Sequence, residues 1–132
     1  MTAVAGQFGL STIGQIAVNV HDLPKAVAFY RDTLGMRLLF EAPPKMAFFD
    51  CGGVRLMLSL PETPEYDHPA SIIYYKVEDI QQAAAVLQAR GVAFDSAPHL
   101  IAKLPHADLW MAFLRDVDGN PVGLMSEVAQ KV

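Results

Sequence analysis

The sequence predicts an α+β domain of two tandem βαβββ modules, which form a curved mixed sheet around a central cleft and leave their helices outside. Two observations carry this prediction. The segment IGQIAVNVHDLPKAVAFYRDTLGM at residues 13–36 is echoed by ASIIYYKVEDIQQAAAVLQARGV at residues 70–92, and three strand-like segments follow each copy. One module alone cannot bury both faces of its sheet, whereas two modules can enclose a cleft between them.

The first copy has the pattern of a strand followed by a helix. Apolar residues alternate over residues 16–20, which predicts a strand with one apolar face. Asp22 is placed to cap a helix, an apolar stripe at helical spacing runs over residues 23–34, and Gly35 ends the helix. Turn signals then separate three predicted strands, MRLLFEA (36–42), KMAFFDCG (45–52) and VRLMLSL (54–60).

The second copy repeats each step, with Asp79 as the helix cap and Gly91 at the helix end. The strand and the helix start match the first copy at an offset of 57 residues, and the later turn matches at an offset of 66. The three strands predicted after this helix are VAFDSAP (92–98), LWMAFLRD (109–116) and NPVGLMSE (120–127). We therefore interpret residues 1–132 as a single domain with repeats at about 11–60 and 70–128, joined by a Pro-rich linker at 61–69.

Composition excludes several classes of partner. The chain has 132 residues, 52% of them hydrophobic, and a net charge of -4 without a basic stripe, so we expect no nucleic-acid partner. No apolar run approaches the roughly 18 residues of a membrane helix, and the first residues lack the features of a signal peptide. The single cysteine, Cys51, excludes an internal disulfide and fits a reducing compartment. We therefore expect a cytoplasmic protein that does not bind membranes.

Three segments together resemble one protein family. HDLPKAVAFYRDTLGM, VEDIQQAAAVLQARGV and DVDGNPVGLM are similar to motifs of the vicinal oxygen chelate superfamily, which includes glyoxalase I, the bleomycin-resistance proteins and the extradiol dioxygenases. The resemblance covers about residues 11–127. The last segment resembles the family's DPDGN turn, which is followed by a strand that normally carries a glutamate. The resemblance thus implies the fold already predicted from the repeat.

The resemblance also implies a divalent metal in the cleft, held by His, Glu or Gln side chains at four strand positions. Carried onto this sequence, those positions are Gln15, Met57, Ile72 and Gly123. Ions such as Mg²⁺, Mn²⁺ and Fe²⁺ prefer carboxylate oxygens or imidazoles, and this set offers one neutral amide oxygen and one thioether. The residues one position before or after each of these four also supply no carboxylate or imidazole. We therefore expect no metal site and no cofactor.

Strand alternation predicts which side chains line the cleft. Because the apolar residues at 16, 18 and 20 must lie under the helix, their neighbours face the opposite side. On the strand before the last, we place Phe113 under the helix and so Trp110 and Ala112 inside the cleft. The predicted ligand-binding residues are Gln15, Asn19, Arg55, Met57, Ile72, Tyr74, Lys76, Trp110, Gly123 and Met125. The simpler alternative is that Met57, Ile72 and Trp110 fill the cleft as core.

Three hypotheses of function follow. In the first, the protein resembles the bleomycin-resistance proteins and binds a small, partly aromatic organic molecule without a metal. In the second, it is a metal-independent or unusually liganded enzyme, such as a lyase, an isomerase or a dioxygenase-like protein. The third is a non-catalytic dimeric subunit with a filled cleft. We expect a homodimer for two reasons. The apolar content is high, and the resemblance implies a cleft built from two modules within or across chains.

The enzymatic hypothesis needs a proton carrier and an anion clamp. His99 and His106 flank LIAKLP in a segment that we expect to be a loop leading to Trp110, and loops often carry function. Histidine is the usual acid–base group near neutral pH, so these two residues and Tyr74 are the catalytic candidates. The clamp would be Arg55 or Lys76. The simpler interpretation is that both histidines are exposed loop residues.

Overall fold

The computed structural model describes residues 8–130 as two four-stranded mixed sheets, one from each module. The first sheet has the order β1-β4-β3-β2, and its strands are β1 (Gln15–Asn19), β2 (Arg37–Ala42), β3 (Met46–Cys51) and β4 (Val54–Ser59). The second has the order β5-β8-β7-β6, and its strands are β5 (Ile73–Lys76), β6 (Ser96–Lys103), β7 (Ala107–Arg115) and β8 (Pro121–Ala129). The predicted fold of two tandem βαβββ modules is confirmed, as two sheets instead of one continuous sheet.

Each module carries its predicted helix with the predicted cap. The helix α1 (Leu23–Ala28) begins where Asp22 accepts a hydrogen bond from the Lys25 backbone N–H at 3.1 Å. The helix α2 (Ile80–Ala89) begins in the same way, because Asp79 accepts from the Gln82 backbone N–H at 3.0 Å. These carboxylates satisfy backbone donors that the first turn of a helix leaves free.

The segment from the capping aspartate to the closing glycine is one residue longer in the first module than in the second. Thirteen positions separate Asp22 from Gly35, whereas twelve separate Asp79 from Gly91. The additional residue is accommodated by a π-helix over Phe29–Thr33, in which the backbone N–H five residues after Phe29 donates to its carbonyl oxygen at 2.9 Å. This wider turn lets Phe29 contact the cores of both modules.

A buried polar cluster joins the two modules. The Tyr30 hydroxyl donates to Asp116 Oδ2 at 2.8 Å across 86 residues of sequence. Asp116 is only 6% exposed and also accepts from the backbone N–H groups of Asp118 and Asn120. Burial, together with the negative charge of Asp116, raises the pKa of Tyr30, so the phenol stays protonated. The Asn120 amide extends the junction by donating to the backbone oxygen of Asn19 at 3.0 Å.

The strand predicted at residues 92–98 is displaced. The structure places β6 at Ser96–Lys103, because Val92 and Phe94 pack against the second core before the strand begins. One prediction changes with it, because His99 lies on a strand and not in a loop. His106 lies in the turn that joins β6 to β7, as expected.

Each sheet has one face packed against its helix. The first core contains Val18, Phe49 and Leu56, and the second contains Leu114 and Leu124. We call the opposite side of each sheet its open face. Among residues 8–130, no helix is both long and apolar enough to cross a membrane.

Candidate functional site

Strand pairing arranges the open face of the first sheet into three rows of side chains. Their neighbours along each strand lie in the first core, so these residues point away from α1. The first row is Arg37, Asp50, Arg55 and Gln15; the second is Phe40, Phe48, Met57 and Ala17; the third is Ala42, Met46, Ser59 and Asn19. The predicted orientations of Gln15, Asn19, Arg55 and Met57 are confirmed.

Gln15 is engaged by two neighbours on this face. Its Oε1 accepts a hydrogen bond from Arg55 Nε at 3.1 Å, and its Nε2 donates to Met57 Sδ at 3.6 Å. Gln15 and Met57 are the first two positions at which the resemblance implies metal ligands. In this chain the two side chains are hydrogen-bonded to each other. The oxygen of Gln15 also accepts from the guanidinium of Arg55, whose positive charge would repel a metal cation at that oxygen.

Aromatic side chains continue the surface next to Arg55. The Arg55 Cζ atom lies 5.1 Å from the centroid of the Phe48 ring, which is within the range of a cation–π interaction. Phe48 in turn stacks on Phe40, with 4.6 Å between ring centroids and 28° between planes. Phe40 remains 49% exposed, so a flat apolar surface stands beside a positive charge.

The open face of the second sheet is built around Gly123. Tyr74 and Phe113 are its partners on the two neighbouring strands, and their rings meet edge to face with centroids 5.9 Å apart. A Cβ atom on residue 123 would come to 2.8 Å from Tyr74 Cδ2, so the tyrosine ring covers the position at which the resemblance implies a glutamate. Ile72, at the remaining ligand position, is apolar and 46% exposed.

The side chains at the four implied ligand positions do not fit the metal that the resemblance implies. Ile72 and Gly123 offer no ligating atom, Met57 is a thioether, and the oxygen of Gln15 is bonded to Arg55. Within the described part of the chain, no cluster of three or more His, Cys, Asp or Glu side chains could hold a metal ion. The chemistry that a divalent ion supplies in this family therefore has no support from these residues.

The prediction that Trp110 and Ala112 face the cleft is wrong. Ala112 is fully buried in the second core beneath α2, and Trp110 packs against the same core. Phe113, which contacts Tyr74, therefore lies on the open face, and Met111 shares its side of the strand.

The length of one turn explains this error. Asp50 pairs with Arg55 across four intervening residues, whereas Arg115 pairs with Pro121 across five. The offset between the repeats is therefore 66 residues on the last strand but 65 on the strand before it. A change of one residue exchanges the two faces of a strand.

The linker closes one end of the first open face. The Asn19 side-chain amide donates to the backbone oxygens of Tyr66 and His68, the second at 3.2 Å. Asn19 thus holds the linker in place across the end of the sheet. A cavity of about 220 Å³ lies between them, lined by Asn19, Lys45, Met46, Met57, Ser59, Leu60, Pro61, Glu62 and Tyr66. Its walls continue the row of Met57 and so belong to the same surface.

The other predicted cation has carboxylates for neighbours. Lys76 and Met125 pair side by side on the second open face, as the alternation predicted. Lys76 lines a shallow cavity together with Glu78 and Glu127. Two carboxylates therefore lie in the same cavity as its charge, although no ion pair within 4.0 Å joins them to Lys76 among the described residues.

The three acid–base candidates do not form one group. Nδ1 of His99 donates to the backbone oxygen of Ala97 at 2.8 Å, and Nε2 of His106 lies 2.9 Å from Glu127 Oε1. Tyr74 stands over Gly123 instead. Among the described residues, no hydrogen bond joins any two of the three candidates.

One histidine with two acidic partners escaped prediction. Nε2 of His21 lies 2.8 Å from Asp67 Oδ1, and Nδ1 lies 2.9 Å from Asp118 Oδ1. The hydrogen bonds to these two carboxylates raise the pKa of His21. The contact joins the first module, the linker and the second module. His21 and Asp118 are 97 residues apart in sequence, so no local sequence pattern predicts their contact.

The family assignment follows from comparison with known sequences. The profile of the glyoxalase/bleomycin resistance protein/dioxygenase superfamily matches residues 12–124. The chain therefore belongs to this superfamily, as the three motifs indicated. A search of curated proteins found no match.

Solved structures show the same fold. A lactoylglutathione lyase from Agrobacterium tumefaciens is 24% identical with a TM-score of 0.75, over 89% of this chain and 95% of that one. A superfamily member from Sphaerobacter thermophilus is 25% identical with a TM-score of 0.75, over 89% and 98%. TnmS3, an antibiotic binding protein from Streptomyces sp. CB03234, is 27% identical with a TM-score of 0.72, over 92% and 99%.

Proposed function

We propose that this protein binds a small, partly aromatic organic molecule on the open faces of its sheets and does so without the family's metal. The observation that carries this proposal is the tyrosine ring of Tyr74 over Gly123, where the family's glutamate would stand. Aromatic and thioether side chains replace the ligands, and a few fixed polar groups accompany them. That combination is typical of sites for small organic molecules. TnmS3, a relative of similar length, is described as an antibiotic binding protein.

A metal-independent enzyme is the second candidate and has weaker support. Acid–base catalysis needs a proton carrier within hydrogen-bond reach of the substrate. His106 is paired with Glu127, and His99 is bonded to its own strand, so the candidates do not converge. A non-catalytic subunit with a filled cleft also has weaker support, because Phe40 and Tyr74 are 49% and 43% exposed.

We propose that two copies form a homodimer. Apolar side chains other than Phe40 and Tyr74 are also exposed within one chain, namely Ile72, Leu100 and Ile101. Removing such surface from water favours association. We also propose a cytoplasmic location, for which the support is the single cysteine and the absence of any possible internal disulfide.

Binding is tested with naphthamide, a neutral aromatic probe, by two-dimensional NMR of the full chain. Saturable shifts of the backbone amides of Phe48, Met57 and Tyr74 are expected. Phe40→Leu should weaken binding by several-fold through loss of the exposed aromatic surface, whereas Phe8→Leu, at a 75% exposed site, should not change it. Shifts confined to the helices, or equal effects of both variants, would exclude the open faces as the site. Native mass spectrometry of protein purified without added ligand would show whether a molecule is already bound.

A further inference from the structure

We propose that the ligand carries an anionic group on its aromatic part, a carboxylate or a similar oxyanion, and that Arg55 binds this anion. The inference rests on the proposed function, because it names the ligand class of the same surface. Four features support it: the unpaired charge of Arg55, the contacts that fix its guanidinium, the adjacent aromatic stack, and the different surroundings of Lys76.

Arg55 is an exposed cation without a carboxylate partner. Among the described residues, no ion pair within 4.0 Å involves its guanidinium. Asp50 is its partner in the strand register, yet the Asp50 carboxylate instead accepts a hydrogen bond from the Gly53 backbone N–H at 3.3 Å. The positive charge of Arg55 is thus available to an anion from outside the chain.

The guanidinium is already oriented. Its Nε donates to Gln15 Oε1, and the Gln15 amide is itself oriented because its Nε2 donates to Met57 Sδ. The Arg55 Cζ atom also lies over the Phe48 ring, 5.1 Å from its centroid. Within residues 8–130 the two terminal nitrogens have no hydrogen-bond partner, and together they match the two oxygens of a carboxylate. Gln15 is therefore a positioning residue, and the loss of side-chain freedom that weakens binding by a mobile arginine is already reduced here.

The aromatic part of the ligand has its own surface beside this cation. Phe40 stacks on Phe48 and is 49% exposed, so aromatic surface lies on the same open face as the guanidinium. An aryl carboxylate whose oxygens bind Arg55 would have this aromatic surface beside it. A neutral aromatic molecule would gain the stacking alone, and an aromatic cation would be repelled.

Lys76 is excluded as the main anion site by its neighbours. It shares its shallow cavity with Glu78 and Glu127, whose negative charges oppose an incoming anion. Lys76 therefore provides the matched control, because it is a second cation on an open face that should not contribute to anion recognition.

The test compares three probes of one shape, namely naphthoate, naphthamide and naphthylmethylammonium, by calorimetric titration near neutral pH. We expect naphthoate to bind about tenfold more tightly than naphthamide, as is usual for a charge-assisted hydrogen bond, and the ammonium compound to bind most weakly. Arg55→Met should remove the preference for naphthoate and leave naphthamide affinity unchanged. Lys76→Met should retain the preference.

Gln15 is tested with the same probes. Gln15→Leu should reduce the preference for naphthoate by about half or more while the affinity for naphthamide stays the same, because only the orientation of the guanidinium is lost. An equal loss for all three probes would show a packing role and overturn the positioning role.

The outcomes separate this inference from the proposed function. Equal affinity of the wild-type protein for naphthoate and naphthamide would overturn the anion preference and still support an aromatic site. A preference for naphthoate that survives Arg55→Met would overturn the role of Arg55. Absence of binding by all three probes would contradict both proposals.

Discussion

The ring of Tyr74 lies over the Cα atom of Gly123, so that any side chain at residue 123 would have to displace the ring. The two residues pair across the parallel strands β5 and β8. A Cβ atom at residue 123 would lie 2.8 Å from Tyr74 Cδ2 and 3.1 Å from Tyr74 Cε2. The tyrosine ring in this position therefore depends on glycine, and it excludes the glutamate that the resemblance implies at residue 123.

The first prediction tests this dependence by Gly123→Ala. Gly123 has no left-handed backbone that an alanine would strain, so the only cost is the clash with the ring. We expect the free energy of unfolding to fall by about 1–2 kcal/mol, as for other overpacking changes, measured by urea denaturation. In a Tyr74→Ala background the same change should cost little.

Gly14→Ala is the matched control, because a Cβ atom at residue 14 would meet no atom within 4 Å. It should leave the urea midpoint unchanged. If Gly123→Ala were equally harmless in the wild-type background, or equally costly without the tyrosine, the contact between residues 74 and 123 would not be the cause.

The second prediction concerns metal content. Protein purified without a His tag should carry no stoichiometric Mg²⁺, Mn²⁺, Fe²⁺, Ni²⁺ or Zn²⁺, because Gln15, Met57, Ile72 and Gly123 supply no carboxylate or imidazole. Elemental analysis by mass spectrometry measures this directly. About one tightly held metal per chain, retained through dialysis against a chelator, would contradict our interpretation of the site.

The third prediction concerns assembly. We expect a mass of twice the 14.4 kDa chain in light scattering, because a second copy would cover apolar surface such as that of Ile72 and Leu100. Charged substitutions there, Ile72→Glu and Leu100→Glu, should shift the equilibrium to monomer. Val86→Glu, at an exposed position on α2, is the control and should leave the mass unchanged. A mass near one chain at every concentration would refute the dimer.

The fourth prediction concerns the pH dependence of the contact among His21, Asp67 and Asp118. Hydrogen bonds to Asp67 and then Asp118 raise the pKa of His21 above 6.5, its ordinary value. A raised pKa in the folded state means that the stabilisation is fully present below about pH 6.5 and is lost as the pH rises through the folded-state pKa. The advantage of the wild-type protein over His21→Asn in urea midpoint should therefore shrink on moving to alkaline pH.

A proton NMR titration of the His21 ring gives the corresponding pKa directly. Asp67→Asn should lower that pKa, whereas Glu62→Gln, which removes a linker carboxylate that makes no hydrogen bond to His21, should leave it unchanged. A difference between wild type and His21→Asn that grows with rising pH would show that the sign of the linkage is wrong.

Much of the fold was predictable because both copies of the repeat carry the same pattern of strands and helix. The caps at Asp22 and Asp79 and the orientation of β1, β4, β5 and β8 follow from local periodicity, and the structure confirms them. The contact between Tyr30 and Asp116 was beyond such patterns, since 86 residues separate them. Periodicity also could not reveal that the first helix accommodates its additional residue as a π-helix.

Part of the site was missed although the sequence contained the signal. The Gly-Gly turn at residues 52–53 pairs Cys51 with Val54, and this register places Phe48 opposite Met57. Counting through the turn would therefore have found the aromatic row. The same count through a two-residue turn at residues 118–119 would have placed Phe113 opposite Leu124 instead of Gly123, because the second turn is one residue longer. The engagement of Gln15 by Arg55 depends on side-chain geometry, which no periodicity specifies.

The last prediction uses this correction, since Trp110 and Phe113 lie on opposite faces of β7. Trp110 packs against the second core, so Trp110→Ala should lower the free energy of unfolding by roughly 2–3 kcal/mol, somewhat less than the truncation of a fully buried tryptophan. Its effect on naphthamide affinity should be negligible. Phe113→Ala removes the partner of the Tyr74 ring on the open face and should weaken naphthamide binding by about tenfold, with a smaller loss of stability. Urea denaturation and NMR titration of both variants separate the two roles. If Trp110→Ala weakened binding while its urea midpoint stayed at the wild-type value, the assignment of faces on β7 would have to be reversed, because a residue that supports only the core cannot lower affinity without lowering stability.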